Sequence, residues 1–161
     1  MRKVLFMKGS ELRLIEYMEG SKKRFIIPVY QRNYDWKIEN CKQLYDDLIQ
    51  VIKNNSKTHF FGSIVSVYEP SGRNTEFLII DGQQRLTTMS LLFLALYNLL
   101  EEKIIISEDE SLKDQIYEDF LVDKYQPQEK RMKLKPIKND QKAFSKLFNS
   151  KDDYIKDSNL T

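Results

Sequence analysis

The stretch from Asp81 to Arg85, with the sequence DGQQR, constrains this chain more than any other. It lies between an apolar run at 77–80 and a long, mostly apolar segment at 86–100, an order typical of a strand, a tight turn and a buried helix. Free N–H groups at a helix N-terminus attract anions, and an arginine guanidinium suits phosphate oxygens. The sequence therefore predicts a phosphate-binding turn, for either a nucleotide or a DNA backbone.

Length and charge limit the interpretation further. A chain of 161 residues that is 41% hydrophobic forms one domain. We assign this domain to 1–150 and interpret the polar stretch at 151–161 as a tail, the start of a linker or helical region in a longer protein. The net charge of +2 gives no overall basic field, so any contact with DNA must come from a local patch.

Several classes of site are excluded by composition. The single histidine, His59, cannot supply a His/Cys zinc site or the His-rich metal centre of an HNH-type nuclease. The single cysteine, Cys41, rules out an internal disulfide and fits a reducing compartment. The sequence has neither a P-loop motif nor a Gly-x-Gly-x-x-Gly motif. The longest apolar stretch, 89–100, is too short to span a bilayer, so we expect a cytoplasmic protein without membrane partners.

The hydrophobic pattern predicts an α+β fold. Predicted helices cover 11–18, 39–53, 87–102, 112–122 and 140–148, the last with Asn139 as its N-cap. Predicted strands cover 24–29, 59–68, 77–80 and 131–135, and the second and third form a hairpin around the turn at 70–74. The alternating pattern at 131–135 predicts a strand with one exposed, basic face.

The DGQQR turn has an ordinary structural interpretation beside the functional one. Asp81 could cap the helix while Gln84 reaches back as a capping box, and Gly82 could supply a positive φ. Two glutamines and an arginine are more polar than a cap requires, which favours function. A second Gln–Arg pair, Gln31-Arg32, ends another predicted strand. We expect this pair to face Arg85 across a cleft, so that two Gln–Arg segments bind one anion.

Two weaker candidates complete the set. The basic side chains of Arg131, Lys133 and Lys135 lie on one face of the predicted strand; they are either an ordinary solvated surface or contacts to DNA phosphates. Asp81 is the acidic residue within the motif, so it is the candidate carboxylate for contacting Mg²⁺ or orienting water.

Three motifs together resemble a known family. PVYQRNYDW at 28–36, FGSI at 61–64 and DGQQRLTT at 81–88 resemble the N-terminal domain of GmrSD-type restriction endonucleases, and the similarity extends over about 25–148. The resemblance implies membership of the ParB/sulfiredoxin-like superfamily, with a small mixed sheet and surrounding helices.

The resemblance also implies a function. It implies a regulatory domain of a modification-dependent, anti-phage restriction system that binds a nucleoside triphosphate with Mg²⁺, GTP being favoured. The nucleotide-binding residues would be Gln31, Arg32, Gly82, Gln83, Gln84 and Arg85. Catalysis of hydrolysis would rest on Asp81, Gln84 and Arg85. Its partners would be modified DNA and an HNH nuclease domain, located C-terminally in the full-length protein or in a partner subunit.

Two alternatives to nucleotide hydrolysis stay open. The same two segments could bind a DNA phosphate without any hydrolysis, in which case DNA affinity would depend steeply on salt. The domain could instead be a weak DNA nickase, although the sequence offers no clustered histidine or carboxylate metal site for that chemistry.

Overall fold

A computed structural model describes residues 12–56, 60–72 and 74–148. It confirms the predicted α+β class, with helices around a four-stranded sheet. The strands are β1 Lys23–Ile26, β2 Val65–Ser71, β3 Asn74–Asp81 and β4 Leu134–Lys135. The helices are α1 Leu14–Met18, α2 Ile38–Lys53, α3 Gln83–Glu101, α4 Leu112–Ile116 and α5 Lys138–Leu147. His59 and the tail at 151–161 lie outside the described residues.

The sheet has the strand order β2-β3-β1-β4. Strands β2 and β3 form the predicted antiparallel hairpin, while β1 runs parallel to both β3 and β4. In this register Phe25 of β1 lies beside Phe77 on one side and Leu134 on the other. Because β1 and β3 are parallel, the segments that follow them leave the sheet at the same edge. This topology brings the two Gln–Arg segments together.

The main core lies between the sheet and helix α3. Phe25, Ile79 and Leu86 are almost completely buried. Phe25 packs against Tyr17 and Phe77 with ring centroids 5.1 and 5.5 Å apart. Burial of several large aromatic rings stabilises such a small sheet strongly. The core therefore holds β1, β3 and the beginning of α3 in a fixed relation.

A second apolar cluster packs the other half of α3 against the 112–122 segment. Its buried members are Leu94, Ile116, Leu121 and Val122. Sequence periodicity predicts one α-helix over 112–122, but the α-helix ends at Ile116 and a π-helical turn, Tyr117–Leu121, follows. The wider π-helical turn changes the direction in which the following side chains point. None of the helices in the described ranges is long and apolar enough to cross a membrane.

The prediction of an exposed basic strand at 131–135 is wrong. Only Leu134 and Lys135 form β4, and Lys133 is buried at 1% exposure. The Lys133 ammonium group donates hydrogen bonds to the carbonyls of Gly20 and Asp119, so it is not available as part of a solvated face. Arg131 is exposed and Lys135 is half-buried, and their contact with DNA stays a prediction.

The predicted N-cap of the last helix is also wrong. Helix α5 begins at Lys138, after Ile137 in an extended conformation, so Asn139 lies within the first turn. The next residue, Asp140, also lies in the first turn, and its carboxylate accepts the backbone N–H of Tyr34 at 2.6 Å. This contact holds the beginning of α5 against the loop that follows β1.

Candidate functional site

The turn between β3 and α3 differs from the predicted capping arrangement. Helix α3 begins at Gln83, its N-cap is Gly82 with φ +84°, and no side chain caps it. The Asp81 carboxylate instead accepts the N–H of Gly82 at 2.8 Å. The predicted positive φ at Gly82 is confirmed, whereas the capping box between Asp81 and Gln84 is not formed.

Gly82 also lies against backbone. A Cβ atom at this position would be 2.9 Å from the carbonyl oxygen of Ser63 and 3.0 Å from Cγ1 of Ile64. Both the left-handed conformation and the close approach therefore require glycine here. The 61–64 segment, one of the three motifs singled out in the sequence, is the partner in this contact.

The two glutamines of the turn bind the loop between β1 and α2. Gln83 and Gln84 are only 7% and 5% exposed. The Gln83 side-chain amide donates to the carbonyl of Arg32 at 3.3 Å. The Gln84 amide donates to the carbonyl of Asn33 at 2.9 Å and accepts the N–H of Asp35 at 3.0 Å. Three hydrogen bonds thus join the DGQQR turn to the loop at 32–35, and one of them reaches Arg32 of the Gln31-Arg32 pair.

Gln31 completes this connection from the other side. Its side-chain amide donates to the carbonyl of Ile80, at the end of β3, at 2.9 Å. The predicted proximity of the two segments is therefore present in the structure. The interaction that joins the two segments differs from the expectation, because the glutamine side chains bind backbone groups of the neighbouring segment and do not face an open cleft.

Arg85 lies over the 61–64 segment. Its Nη2 donates to the carbonyl of Ser63 at 2.6 Å. A Cβ atom on Gly62, which has φ +96°, would lie 2.6 Å from Nη1 of Arg85. The buried Nε of Arg85 has no hydrogen-bond partner among the residues that the structure describes. Gly62 is a site residue that sequence reasoning missed as such; its position just before Ser63 in a family-like motif was the available signal.

Arg32 is the more exposed of the two arginines. It pairs with Asp35 at 3.4 Å, and both side chains are more than half exposed. A pair of this kind contributes about 0–1 kcal/mol. The Arg32 guanidinium can therefore change partner at little cost when an anion is present.

Tyr34 ties the same loop to three helices. Its N–H binds Asp140 of α5, and its hydroxyl lies 2.8 Å from Oγ1 of Thr88 and 3.3 Å from Sγ of Cys41. Burial raises the pKa of the Tyr34 hydroxyl to about 12, so this group stays neutral near pH 7. Thr88 in turn donates to the carbonyl of Gln84 at 2.8 Å. The loop backbone is thus positioned by a connected hydrogen-bond network.

A cavity of about 160 Å³ lies beside this network, between the loop, α3 and α5. Its walls are mainly aliphatic and aromatic, with polar groups supplied by Arg32, Gln83 and Asp140 among others. The Oε1 atom of Gln83 is buried and has no hydrogen-bond partner among the described residues. Arg85 is not among the described residues that line the cavity. The two arginines therefore serve different parts of the site, contrary to the expectation that they face each other across one cleft.

Asp81 is exposed next to the turn. Within 12–56, 60–72 and 74–148, no group of three or more His, Cys, Asp or Glu side chains is arranged to hold a metal ion. Mg²⁺ commonly keeps several waters and binds through one or two carboxylates plus substrate phosphates. A single exposed carboxylate is compatible with such binding, and the contact of Asp81 with Mg²⁺ stays a prediction.

The fold and the site define a class: an α+β domain in which side-chain amides join a strand–helix turn to the loop of a neighbouring parallel strand. Residues 14–161 match the family described as the N-terminal domain of GmrSD restriction endonuclease. The chain belongs to this family, and its role lies in a restriction system. No curated protein matches the chain. Membership of the wider ParB/sulfiredoxin-like superfamily stays a prediction.

Proposed function

We propose that this chain is the nucleotide-binding regulatory domain of a modification-dependent restriction system. The observation that carries the proposal is an apolar cavity lined by both Arg32 and Gln83, next to a Gln83 Oε1 atom that is buried without a hydrogen-bond partner among the described residues. A buried acceptor without a partner costs roughly 1–3 kcal/mol. A ligand that combines a flat apolar body, an N–H donor and an anionic group would remove that cost, and a nucleotide has all three.

The cavity accommodates one part of such a ligand. Its volume of about 160 Å³ is below the roughly 300–1,000 Å³ of a pocket that encloses a whole small molecule. We assign the base to this cavity, where its edge N–H would donate to Gln83. GTP is the favoured nucleotide because guanine carries two neighbouring edge donors, and the cavity walls offer acceptors on both Gln83 and Asp140.

The phosphates would then lie outside the cavity, toward the arginines. Arg32 has a weak, exposed partner and would turn to a phosphate oxygen. Arg85 would stabilise the charge that develops on the transferred phosphoryl group, and Asp81 would contact Mg²⁺ or orient water. Gln84 would act by positioning, because both polar atoms of its amide bind the loop.

Nucleotide binding tests this proposal directly. The affinity for a fluorescent GTP analogue with Mg²⁺ is measured for the parent chain, Arg32→Ala and the control Arg13→Ala. Arg13 is an exposed arginine in a comparable i,i+3 ion pair, with Glu16. We expect a loss of tenfold or more for Arg32→Ala and parental affinity for the control. A parent chain that binds no nucleotide, or an Arg32→Ala variant with parental affinity, would contradict the proposal.

Hydrolysis is a separate step and needs its own measurement. Phosphate release from GTP should fall for Arg85→Ala while the affinity of the analogue changes much less, because Arg85 does not line the cavity. In the complete system, hydrolysis would couple recognition of modified DNA to an HNH nuclease domain, C-terminal in the full-length protein or in a partner subunit. If Arg85→Ala hydrolyses GTP at the parental rate, the catalytic part of the assignment is wrong.

A further inference from the structure

A second polar pocket lies at the opposite edge of the sheet. Residues at the N-terminal ends of β1 and β3, where Lys23 pairs with Thr75, form one wall of this pocket. Residues of the 123–133 segment form the other wall. Glu76 of β3 lines this pocket and precedes Asp81 by five positions, so at about 3.3 Å per residue the pocket is roughly 16 Å or more from the DGQQR turn. It is therefore a separate site, and the proposed nucleotide function does not use it.

The pocket is strongly basic. Five of its lining side chains are basic and two are acidic: Lys22, Lys23, Arg24, Lys130 and Lys133 against Glu76 and Asp123. Arg24 pairs with Glu76 at 3.5 Å. The Asp123 carboxylate accepts the backbone N–H groups of Lys22 and Tyr125, each at 3.1 Å. Both acidic groups are thus already engaged within the protein, which leaves an excess of positive charge.

Lys133 is the buried member of this lining. Its side chain is 1% exposed, and neutral carbonyls of Gly20 and Asp119 accept two of its N–H groups. An ammonium group has three donors, so one remains for a ligand. Burial lowers the pKa of Lys133 to about 8, which shows that nearby carboxylates offset the desolvation of this charge only in part.

The backbone at Lys22 is held in an unusual conformation at the pocket rim. Its φ of +66° lies in the left-handed region, which a lysine rarely adopts. The Asp123 carboxylate accepts the N–H of Lys22, and the carbonyl of Lys22 accepts the N–H of Thr75 at 2.8 Å. Backbone strain that the surrounding structure maintains often marks a functional position. The Lys22 and Lys130 ammonium groups are exposed and have no hydrogen bond or ion pair with the described residues.

We propose that this pocket binds a phosphate group, supplied either by a DNA backbone or by a free phosphate ion. Lysine binds phosphate as a compact point charge, and a pocket of about 70 Å³ suits one small oxyanion. The buried Lys133 donor would reach the anion from below, and Lys22 and Lys130 would close over it from the rim.

A DNA-binding measurement tests whether the phosphate group belongs to a DNA backbone. The affinity for a labelled 20-base-pair duplex is measured by fluorescence anisotropy between 50 and 200 mM NaCl, without nucleotide, for the parent and a Lys22→Ala/Lys130→Ala double variant. Loss of one phosphate contact should lower the magnitude of the slope of log affinity against log salt by about 1. We expect a fivefold or greater loss of affinity at the lowest salt. The control is Lys103→Ala, an exposed lysine that shares the left-handed backbone, with φ +55°.

A second measurement distinguishes binding of a free phosphate ion from binding of a DNA backbone. Inorganic phosphate is titrated into ¹⁵N-labelled parent and double variant, and the amide signals of position 22 and of Lys133 are followed by NMR. Phosphate-dependent shifts in the parent alone, with an unchanged DNA salt slope, would assign the pocket to a free phosphate. The proposal is overturned if the DNA slope is unchanged and phosphate moves neither signal. Neither result depends on nucleotide binding at Gln83.

Discussion

The two edges of the sheet bury polar side chains in different ways. At the edge that follows β1 and β3, Gln83 and Gln84 are neutral amides that bind backbone carbonyls of a loop. At the opposite edge, Lys133 is a cation that binds two carbonyls. Neutral groups are satisfied by such partners, whereas a buried charge also needs an opposite charge. The first edge therefore holds its loop mainly through neutral hydrogen bonds, whereas at the second edge burial outweighs the nearby carboxylates and lowers the pKa of Lys133.

The largest expected effect is at the turn itself. Gly82→Ala combines a left-handed φ with a Cβ 2.9 Å from the Ser63 carbonyl, and we expect it to lower the free energy of unfolding by about 3–4 kcal/mol. Gly20→Ala is the matched control, because Gly20 has φ +100° but nothing within 4 Å of its Cβ position. It should cost only about 1–2 kcal/mol. Urea unfolding measures both, and equal losses would show that the contact with Ser63 does not matter.

The second largest effect is expected at Lys133, where the free energy of unfolding should depend on pH. The pKa of a lysine side chain is ordinarily 10.5, and burial lowers the pKa of Lys133 to about 8 in the folded protein. Between these values the unfolded chain holds a proton that the folded chain lacks, so stability rises from pH 8 toward 10.5 and is lost as the pH falls back through 8. The full change is about 3 kcal/mol.

The measurement compares the free energy of unfolding of the parent and Lys133→Met at several pH values from 7.5 to 10. The parent should gain stability relative to the variant over this range. Lys103→Met replaces an exposed lysine and should follow the parent curve. A constant difference between parent and Lys133→Met would show that the buried ammonium group has an ordinary pKa, and the contrast between the two edges would lose its basis.

Gln84→Leu tests the neutral edge. The change keeps the size of the side chain but removes the hydrogen bonds to Asn33 and Asp35. Because these two loop residues are exposed, water can replace part of the interaction, and we expect a loss of about 1–3 kcal/mol with no change in its pH dependence from 8 to 10. Gln43→Leu, which removes an exposed contact to Asp47, is the control and should change stability by less than about 0.5 kcal/mol.

Much of this arrangement follows from sequence patterns. The apolar run at 77–80, the glycine at 82 and the apolar segment after it predict a strand, a turn and a buried helix, and all three are present. The expected proximity of Gln31 to the turn is present as well, and the structure accounts for it by the parallel pairing of β1 and β3. These features depend on local pattern and on simple topology.

Other features depend on partners that are distant in sequence. The burial of Lys133 depends on carbonyls at Gly20 and Asp119, and no local alternation distinguishes it from an exposed strand lysine. The capping box at Asp81 was a reasonable local prediction, but the loop at 32–35 offers Gln84 better partners. The contact between Asp140 of α5 and Tyr34 likewise joins residues that are distant in sequence. Tertiary hydrogen bonds override local preference at Lys133 and Gln84.

The smallest effect is expected at Tyr34. Tyr34→Phe removes the hydroxyl that lies 2.8 Å from Thr88 and 3.3 Å from Cys41 but keeps the ring and the backbone bond to Asp140. Thr88 retains its bond to the carbonyl of Gln84, so the loss should be about 1 kcal/mol. Tyr45→Phe, at an exposed position on α2, should change the free energy of unfolding by less than half of that. If Tyr34→Phe destabilises the protein as much as Gln84→Leu, the hydroxyl supports the loop as strongly as the glutamine amide does, and the neutral edge is held from α2 as well as from α3.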